Sequence, residues 1–277
     1  MIAILHHPMI ARSQPLAEEV CAWLTERGEQ AWLGSIWDEE TIADRLSETT
    51  LLIALGGDGS ILRAARVAAA RHIPVFSINL GRLGFLSESS PDNWPERLEK
   101  VLTGEFRRER RLMLHATIMR SGEAIGNVTA LNEVVVGRGS QARVVRFHLH
   151  VDGNHVTSYV ADALIAATPT GSTAYSLAAG GPIMPPELPN YVITPVAPHL
   201  SLDRAIVVDE KAEVTIEVIF DHEASMTADG QDAFNLEDGD IVRIAKAPFE
   251  AVFVRVDDPS YFYRRLMARE TGLRKRS

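Results

Sequence analysis

The chain has 277 residues, with 28 Lys plus Arg against 37 Asp plus Glu and a net charge of −9. Its 46% hydrophobic and 23% charged residues are globular proportions and exclude a largely disordered chain. The acidic balance argues against nucleic acid as a partner, yet leaves room for a small phosphorylated ligand held by local backbone dipoles.

Length predicts one large domain or two modest ones. Cys21 is the only cysteine, so no intrachain disulfide or Cys-based zinc site forms, and a reducing, cytoplasmic home is expected. The start lacks a basic n-region, and His6 and His7 interrupt its apolar run, so no signal peptide is expected. No apolar stretch reaches the roughly 18 residues of a membrane span.

The first hundred residues alternate short apolar runs with helical patterns. Ile2–Leu5 is a buried strand. Ser13 is placed to cap a helix with Leu16, Val20, Trp23 and Leu24 on one face, and Gly28 to end it. Leu51–Leu55 is a second strand, Ile61–Arg71 an Ala-rich helix and Pro74–Ile78 a third strand. This alternation predicts a parallel sheet covered by helices.

After Gly104 the period becomes two. Val145, Phe147, Leu149 and Val151 share one face, with Arg146, His148 and His150 on the other. Val214, Ile216, Val218 and Phe220 repeat the pattern. Turn signals at Asp152-Gly153, Asp229-Gly230 and Asp238-Gly239 complete an all-β reading. Tyr261–Arg269 is helical again, with Tyr261, Phe262 and Tyr263 as its packing, and the basic end is a solvated tail.

The second strand runs into Gly56-Gly57-Asp58-Gly59-Ser60, and a helix follows. Glycines there permit positive φ and leave the backbone open to a ligand. The helix end behind them suits phosphate, and the loop lies at the carboxyl end of a strand. A carboxylate repels phosphate, so Asp58 makes sense as a general base toward a hydroxyl, or through a metal ion. Arg63, one helical turn on, offsets ligand charge. A tight turn with Asp58 as helix cap accounts for the same residues. No P-loop and no Gly-x-Gly-x-x-Gly after the first strand is present.

Asn79 and the glycines of Asn79–Leu86 suit a loop close to a ligand, with Phe85 available to a flat ring; an ordinary turn fits equally. Asn132-Glu133 sits inside an apolar strand-like run, as in a cavity wall or an edge strand with one polar face. The buried strand after Asp162 leads into Thr168-Pro169-Thr170-Gly171-Ser172-Thr173-Ala174-Tyr175-Ser176. Such a loop can follow a ribose and a pyrophosphate, with Tyr175 packing on a ring. It lacks a paired His and Asp, so a catalytic serine is not expected. His148 and His150 share a face but lack an obvious third ligand, so no metal site is assigned.

Taken in order, Gly56–Gly59, Asn79–Leu86, Asn132-Glu133, Thr168–Ser176 and Asp229-Gly230-Gln231 resemble the bacterial NAD kinase family over nearly the whole chain. The Gly-Gly-Asp-Gly block is shared with lipid kinases and phosphofructokinases, and the hydroxyl-rich block is far more specific. The resemblance implies an α/β N-terminal domain with a parallel sheet over residues 1–104. It implies a β-rich, sandwich-like domain over 105–258 and a helix from 259 to 277 packing back on the first.

It further implies transfer of the ATP γ-phosphoryl group to the adenosine ribose 2′-hydroxyl of NAD in an inter-domain cleft, with Mg²⁺ arriving with ATP. Asp58 would be the general base. Gly57 would keep the loop open, Gly59 and Arg63 would contact nucleotide, and Asn79 and Phe85 would border it. Asn132 and Glu133 would hold the NAD ribose and diphosphate, and Asp162 the nicotinamide half. Thr173, Ala174, Tyr175, Ser176, Leu177 and Ala178 would line the dinucleotide site, and Arg143 and Gln231 match ligand-contacting positions. A homodimer or homotetramer is implied. Ala163 stands where the family often has glycine. A lipid kinase and a non-enzymatic dinucleotide sensor are the rival readings.

Overall fold

The computed structural model describes all residues except 39–41, 43, 82–83, 140–142, 200–201 and 275–277, and the side chains up to residue 268. Arg82 and Leu83 of the second motif, and the end of the basic tail, therefore lie outside the described residues. Two compact units form: Met1–Arg110 with Glu250–Ser277, and Arg111–Phe249.

In the first unit, strands β1 (Ile2–His6), β2 (Ala31–Ser35), β3 (Leu51–Gly56), β4 (Val75–Asn79), β5 (Arg107–Arg111) and β18 (Ala251–Arg255) make one sheet in the order β2-β1-β3-β4-β18-β5. The pairings from β2 to β18 are parallel. Helices α1 (Ser13–Glu26), α2 (Asp58–Ala69), α3 (Trp94–Leu102) and α5 (Tyr261–Arg274) belong to the same unit. Ile4, Val20, Leu24, Ile53, Leu55, Phe76 and Trp94 build its core. Each such side chain contributes about 1.5–3 kcal/mol through burial. Strand β3 is buried along its whole length, which is why it reads as an unbroken apolar run.

The units divide at Arg110/Arg111 and Phe249/Glu250, a few residues from the expected 104/105 and 258/259, with β5 and β18 in the first unit's sheet. Phe253 of β18 pairs with Val75, and periodicity alone does not say which sheet a strand joins. Ser13 does not cap α1, whose cap position is Arg12 without a side-chain bond. Its Oγ instead accepts from the His7 N–H at 2.9 Å and donates to the Leu55 carbonyl at 3.4 Å, tying the ends of β1 and β3 together.

In the second unit two antiparallel sheets share one core. The first has the order β10 (Asn154–Ala161), β9 (Val145–Val151), β14 (Val214–Ile219), β17 (Ile241–Lys246), β6 (Leu114–Arg120), β7 (Glu123–Ala130). The second has the order β13 (Ile206–Asp209), β12 (Asn190–Val196), β11 (Ala163–Ala167), β8 (Glu133–Arg138), β15 (Ala224–Ala228), β16 (Asp232–Leu236). Phe147, Tyr159, Ile216 and Val242 of one sheet meet Leu164, Tyr191 and Met226 of the other in one buried cluster. Strand β8, which carries Glu133, is not an edge strand: β11 and β15 pair with it on either side. Among the described residues, no helix is long and apolar enough to cross a membrane.

Tyr191 is fully buried, and its hydroxyl donates to the Ala212 carbonyl at 2.8 Å. Tyr191→Phe leaves that carbonyl unpaired in the sandwich core and lowers stability by about 1–2 kcal/mol. Urea unfolding of the variant, with an unchanged m-value, checks this.

Candidate active site

Parallel pairing sets Gly56 at the end of β3 opposite Asn79 at the end of β4. Asp58 follows as the first residue of α2, whose cap position is Gly57. The turn into the helix is tight, and a Cβ on Gly56 would collide with the Ser60 side chain. Gly57 and Gly59 leave the backbone open as expected, but not through the left-handed region. Neither has a positive φ, and a Cβ on either would meet open space. They leave the backbone unobstructed over the amino end of α2, where unpaired N–H groups favour an anion.

Asp58 is exposed. Asn79 Nδ2 donates to its Oδ1 at 3.2 Å, and Ser87 Oγ lies 3.5 Å from the same oxygen. Asn79 is itself fixed, donating to Ser87 Oγ at 2.7 Å and accepting from the Gly81 N–H at 2.7 Å. The Gly84 N–H donates to Ser87 Oγ at 3.1 Å. A Cβ on Gly84 would collide with both carboxylate oxygens of Asp58, so glycine is needed there for close approach. Instead of the helix-cap arrangement, two neutral donors orient the carboxylate.

Arg63 lies over the Trp37 ring, with Cζ 4.3 Å from its centroid, and His7 meets that ring edge-on at 5.8 Å. Phe85 packs against Phe262 with centroids 5.6 Å apart and joins a cluster with Tyr261 and Leu266 at the aromatic start of α5.

In the second unit, one carboxylate organises Asn132 and Glu133. Asp229 accepts hydrogen bonds from the N–H groups of Leu131, Asn132 and Glu133 at 2.9, 2.8 and 3.1 Å. Asp229 itself has φ +53° and Gly230 φ +64°, a left-handed corner between β15 and β16. Glu133 is buried, and its Oε2 has no hydrogen-bond partner. Burial and then the Asp229 charge push its carboxyl up to about 7, against the lowering effect of the Tyr175 N–H.

The hydroxyl-rich loop folds onto this corner. Thr168 Oγ1 donates to the Leu131 carbonyl at 2.5 Å, and a Cβ on Gly171 would collide with the Asn132 carbonyl. Ser172 Oγ donates to the Pro169 carbonyl at 2.6 Å, and Thr173 Oγ1 to the Thr170 carbonyl at 3.2 Å. Ser176 Oγ lies 3.0 Å from Thr194 Oγ1. Thr173 and Ser176 are buried and shape the loop, whereas Tyr175, Leu177 and Ala178 are exposed and Ala174 is half-buried. Helix α4 is the single turn Tyr175–Ala178.

Tyr175 and Asp162 line a cavity of about 360 Å³ with Arg138, Ala163, Ser225 and Thr227. Arg138 Nε stands 3.3 Å from Asp162 Oδ1. Ala163 pairs across the ladder with Gly137, whose missing side chain accommodates the Ala163 methyl. Arg143 and Gln231 are exposed. The Arg143 carbonyl accepts from His222 at 3.2 Å, and the Gln231 N–H donates to the Ala228 carbonyl at 3.0 Å. The hydrogen bond from His222, helped by the Arg143 charge, holds Asp221 below the usual carboxylate range. Sequence reasoning missed Ser87 and Arg138, and it placed Gly84 in a loop near the ligand without foreseeing its contact with Asp58. It quoted Asp229 in a motif without giving it a role. Among the described residues, no three His, Cys, Asp or Glu side chains gather as a metal cage.

Two family models match this chain: the ATP-NAD kinase N-terminal domain over residues 29–106 and the ATP-NAD kinase C-terminal domain over residues 131–256. It is 38% identical over 268 residues to an NAD kinase of Chloroflexus aurantiacus, covering 97% of each chain. It is 42% identical over 222 residues to an NAD kinase of Carboxydothermus hydrogenoformans, covering 80% of this chain and 79% of that one. A crystal structure of an NAD kinase from Archaeoglobus fulgidus in complex with ATP aligns with a TM-score of 0.77 at 28% identity, covering 95% of this chain and 96% of that one.

The Glu133 environment has a thermodynamic signature. Its carboxyl titrates near 4.5 in the ordinary state and near 7 in the fold. The native state therefore holds its proton more tightly, and stability declines as pH rises from about 4.5 to about 7. The loss is roughly 3 kcal/mol at most. Glu133→Gln removes it, so the variant gains on the parent most above pH 7 and least below pH 4.5. Urea midpoints measured at both ends of that window check the sign.

Proposed function

The chain belongs to the NAD kinase family, and from that premise we propose how it works: it phosphorylates NAD with ATP, and Asp58 is the base for the accepting hydroxyl. The observation that carries the assignment is an exposed carboxylate at the amino end of α2, oriented by the amide of Asn79 and the hydroxyl of Ser87. The amide and the hydroxyl give the carboxylate a fixed direction toward the open side of the loop.

The acceptor is the 2′-hydroxyl of the adenosine ribose, a poor nucleophile at neutral pH. Asp58 takes its proton as the oxygen bonds to the γ-phosphorus, and the bond from that phosphorus to the bridging oxygen breaks, leaving ADP. Positioning and relief of negative charge supply most of the remaining rate. The open N–H groups at Gly57 and Gly59 and the guanidinium of Arg63 offer that relief in an acidic protein.

A divalent cation fits the residues present only as a companion of ATP. Mg²⁺ commonly takes one or two carboxylates and completes its shell with substrate phosphates and water. Such an ion would arrive on the ATP phosphates, which leaves Asp58 to the hydroxyl. When bound, Mg²⁺ neutralises charge on the transferring phosphoryl group.

Asn132, Glu133, Tyr175 and the backbone of 173–178 hold the dinucleotide, with Asp162 and Arg138 toward its nicotinamide half. Support comes from the cavity of about 360 Å³ that Tyr175, Asp162 and Arg138 share, a size within the ordinary range for small-molecule sites. Asn79 and Phe85 border the nucleotide, and Arg143 and Gln231 complete the ligand contacts. The chain works in the cytoplasm as a homodimer or homotetramer, a reading that the lone Cys21 suits and sedimentation can check.

Asp58→Asn lowers NADP formation from ATP and NAD by about 10²–10⁴, with the KM for NAD nearly unchanged. Unchanged turnover in that variant sinks the base assignment. Phosphorylation of a diacylglycerol with NAD inert would replace the substrate. The same coupled assay run with NADH and with polyphosphate sets the acceptor and donor range.

A further inference from the structure

The loop that borders the Asp58 carboxylate, Gly84 to Glu88, is gripped by two arginines, Arg255 and Arg265. Arg255, the last residue of β18, is completely buried. Its Nη1 donates to the Ser87 carbonyl at 2.7 Å and the Leu86 carbonyl at 3.3 Å, and its Nη2 to the Phe85 carbonyl at 3.4 Å. Its charge is balanced by Glu109 at 2.9 Å and Glu88 at 3.3 Å, and Tyr261 donates to Glu109 at 2.9 Å. Arg265, one residue of α5, donates to the Gly84 carbonyl at 3.0 Å and also to the Ser87 carbonyl. Gly84 and Ser87 are the residues that border the Asp58 carboxylate.

We propose that Arg265 is a positioning residue for the phosphoryl-transfer reaction, holding Gly84 and Ser87 by their carbonyls so that Asp58 keeps its orientation. The proposal rests on Asp58 as the base.

The placement of Arg265 argues for function over stability. Its guanidinium lies 4.7 Å from the Tyr261 ring centroid, in the same pocket as Arg255. Burial and the Arg255 charge push Arg265 down to about 10, so the fold holds it at a cost. A residue kept for stability alone is poorly chosen as a second cation beside a buried first one. As a donor to two carbonyls flanking the glycine that touches Asp58, it is well chosen. An error of about 1 Å in a reacting group can lower rate by about 10²-fold.

The test is Arg265→Gln in the full chain, with Arg265→Lys as the conservative variant and Arg255→Lys as a probe of the deeper grip. The expected result for Arg265→Gln is a fall in kcat of about tenfold or more. KM for NAD and for ATP stay within about twofold, since the loop carbonyls are not expected to touch either substrate, and the melting temperature is unchanged or raised. Arg265→Lys restores part of the rate. In an Asp58→Asn background, Arg265→Gln causes no further loss, because the group that it positions is gone.

An unchanged kcat, a loss confined to KM, or a loss accompanied by a lowered melting temperature overturns the proposal. Equal losses in both backgrounds show that Arg265 does not act through Asp58, which also overturns it. Full turnover of Asp58→Asn alone marks failure of the base assignment itself, and the two failures are thereby distinguished. If Arg255→Lys does not fold, the Arg265 series still decides the matter.

Discussion

The parallel register between β3 and β4 is the constraint on which the corner around Asp58 depends. It sets Gly56 beside Asn79, so the residue two places after Gly56 meets the side chain that closes β4. A slip of one residue would turn Asn79 to the opposite face of the sheet. The register is held by the buried pairs around it, Ile53 with Phe76 and Leu55 with Ile78. The Asp58 carboxylate is thus oriented by the same apolar packing that stabilises the sheet. The Ser77 hydroxyl adds to this by donating to the Leu86 carbonyl at 2.8 Å, folding the following loop back along β4.

Acidic residues take opposite electrostatic roles in the two units. Asp58 stays exposed and meets neutral donors. Asp229 is buried and receives three backbone N–H groups, so its charge is absorbed by peptide dipoles. Glu133 lies next to it, buried, with one oxygen unpaired, and is pushed up to about 7. A net charge of −9 is compatible with binding polyphosphates because the acids near each corner are exposed, bound to N–H groups or partly protonated.

Much of this was legible in the sequence where a pattern has a single physical cause. Strand, glycine turn and helix around Asp58 follow from an apolar run that meets small residues. The period-two faces of β9 and β14 specify the sandwich core residue by residue. What was not legible depends on partners distant in sequence. Strand β2, Ala31–Ser35, is short and contains Gly34, and it exists because β1 pairs with it. Strand β18 resembles any apolar strand until Phe253 finds Val75. Nothing in the segment around Phe85 reveals that Phe262 packs against it. The roles of Gly84 and Ser87 depend on contacts with Asp58, 26 and 29 positions away by their numbers.

The hydroxyl-rich loop sharpens what a motif of this kind encodes. The hydroxyls of Thr168, Ser172, Thr173 and Ser176 bond within the protein, to Leu131, Pro169, Thr170 and Thr194. Buried hydroxyls need such partners, since an unsatisfied one costs about 1–3 kcal/mol. Their effect is to force the chain through a single-turn helix and expose Tyr175, Leu177 and the adjoining backbone. The specificity of the motif is therefore a specificity of shape: small hydroxyl side chains turn inward so that the backbone can come close to a ligand. Ala163 obeys the same logic from the other side of the ladder. Its methyl is tolerated in a strand that often carries glycine because Gly137 opposite supplies the space. A substitution that adds a side chain at Gly137 should then be felt at Asp162 and Arg138, whose backbones are joined by the hydrogen bond from the Arg138 N–H to the Asp162 carbonyl at 2.9 Å.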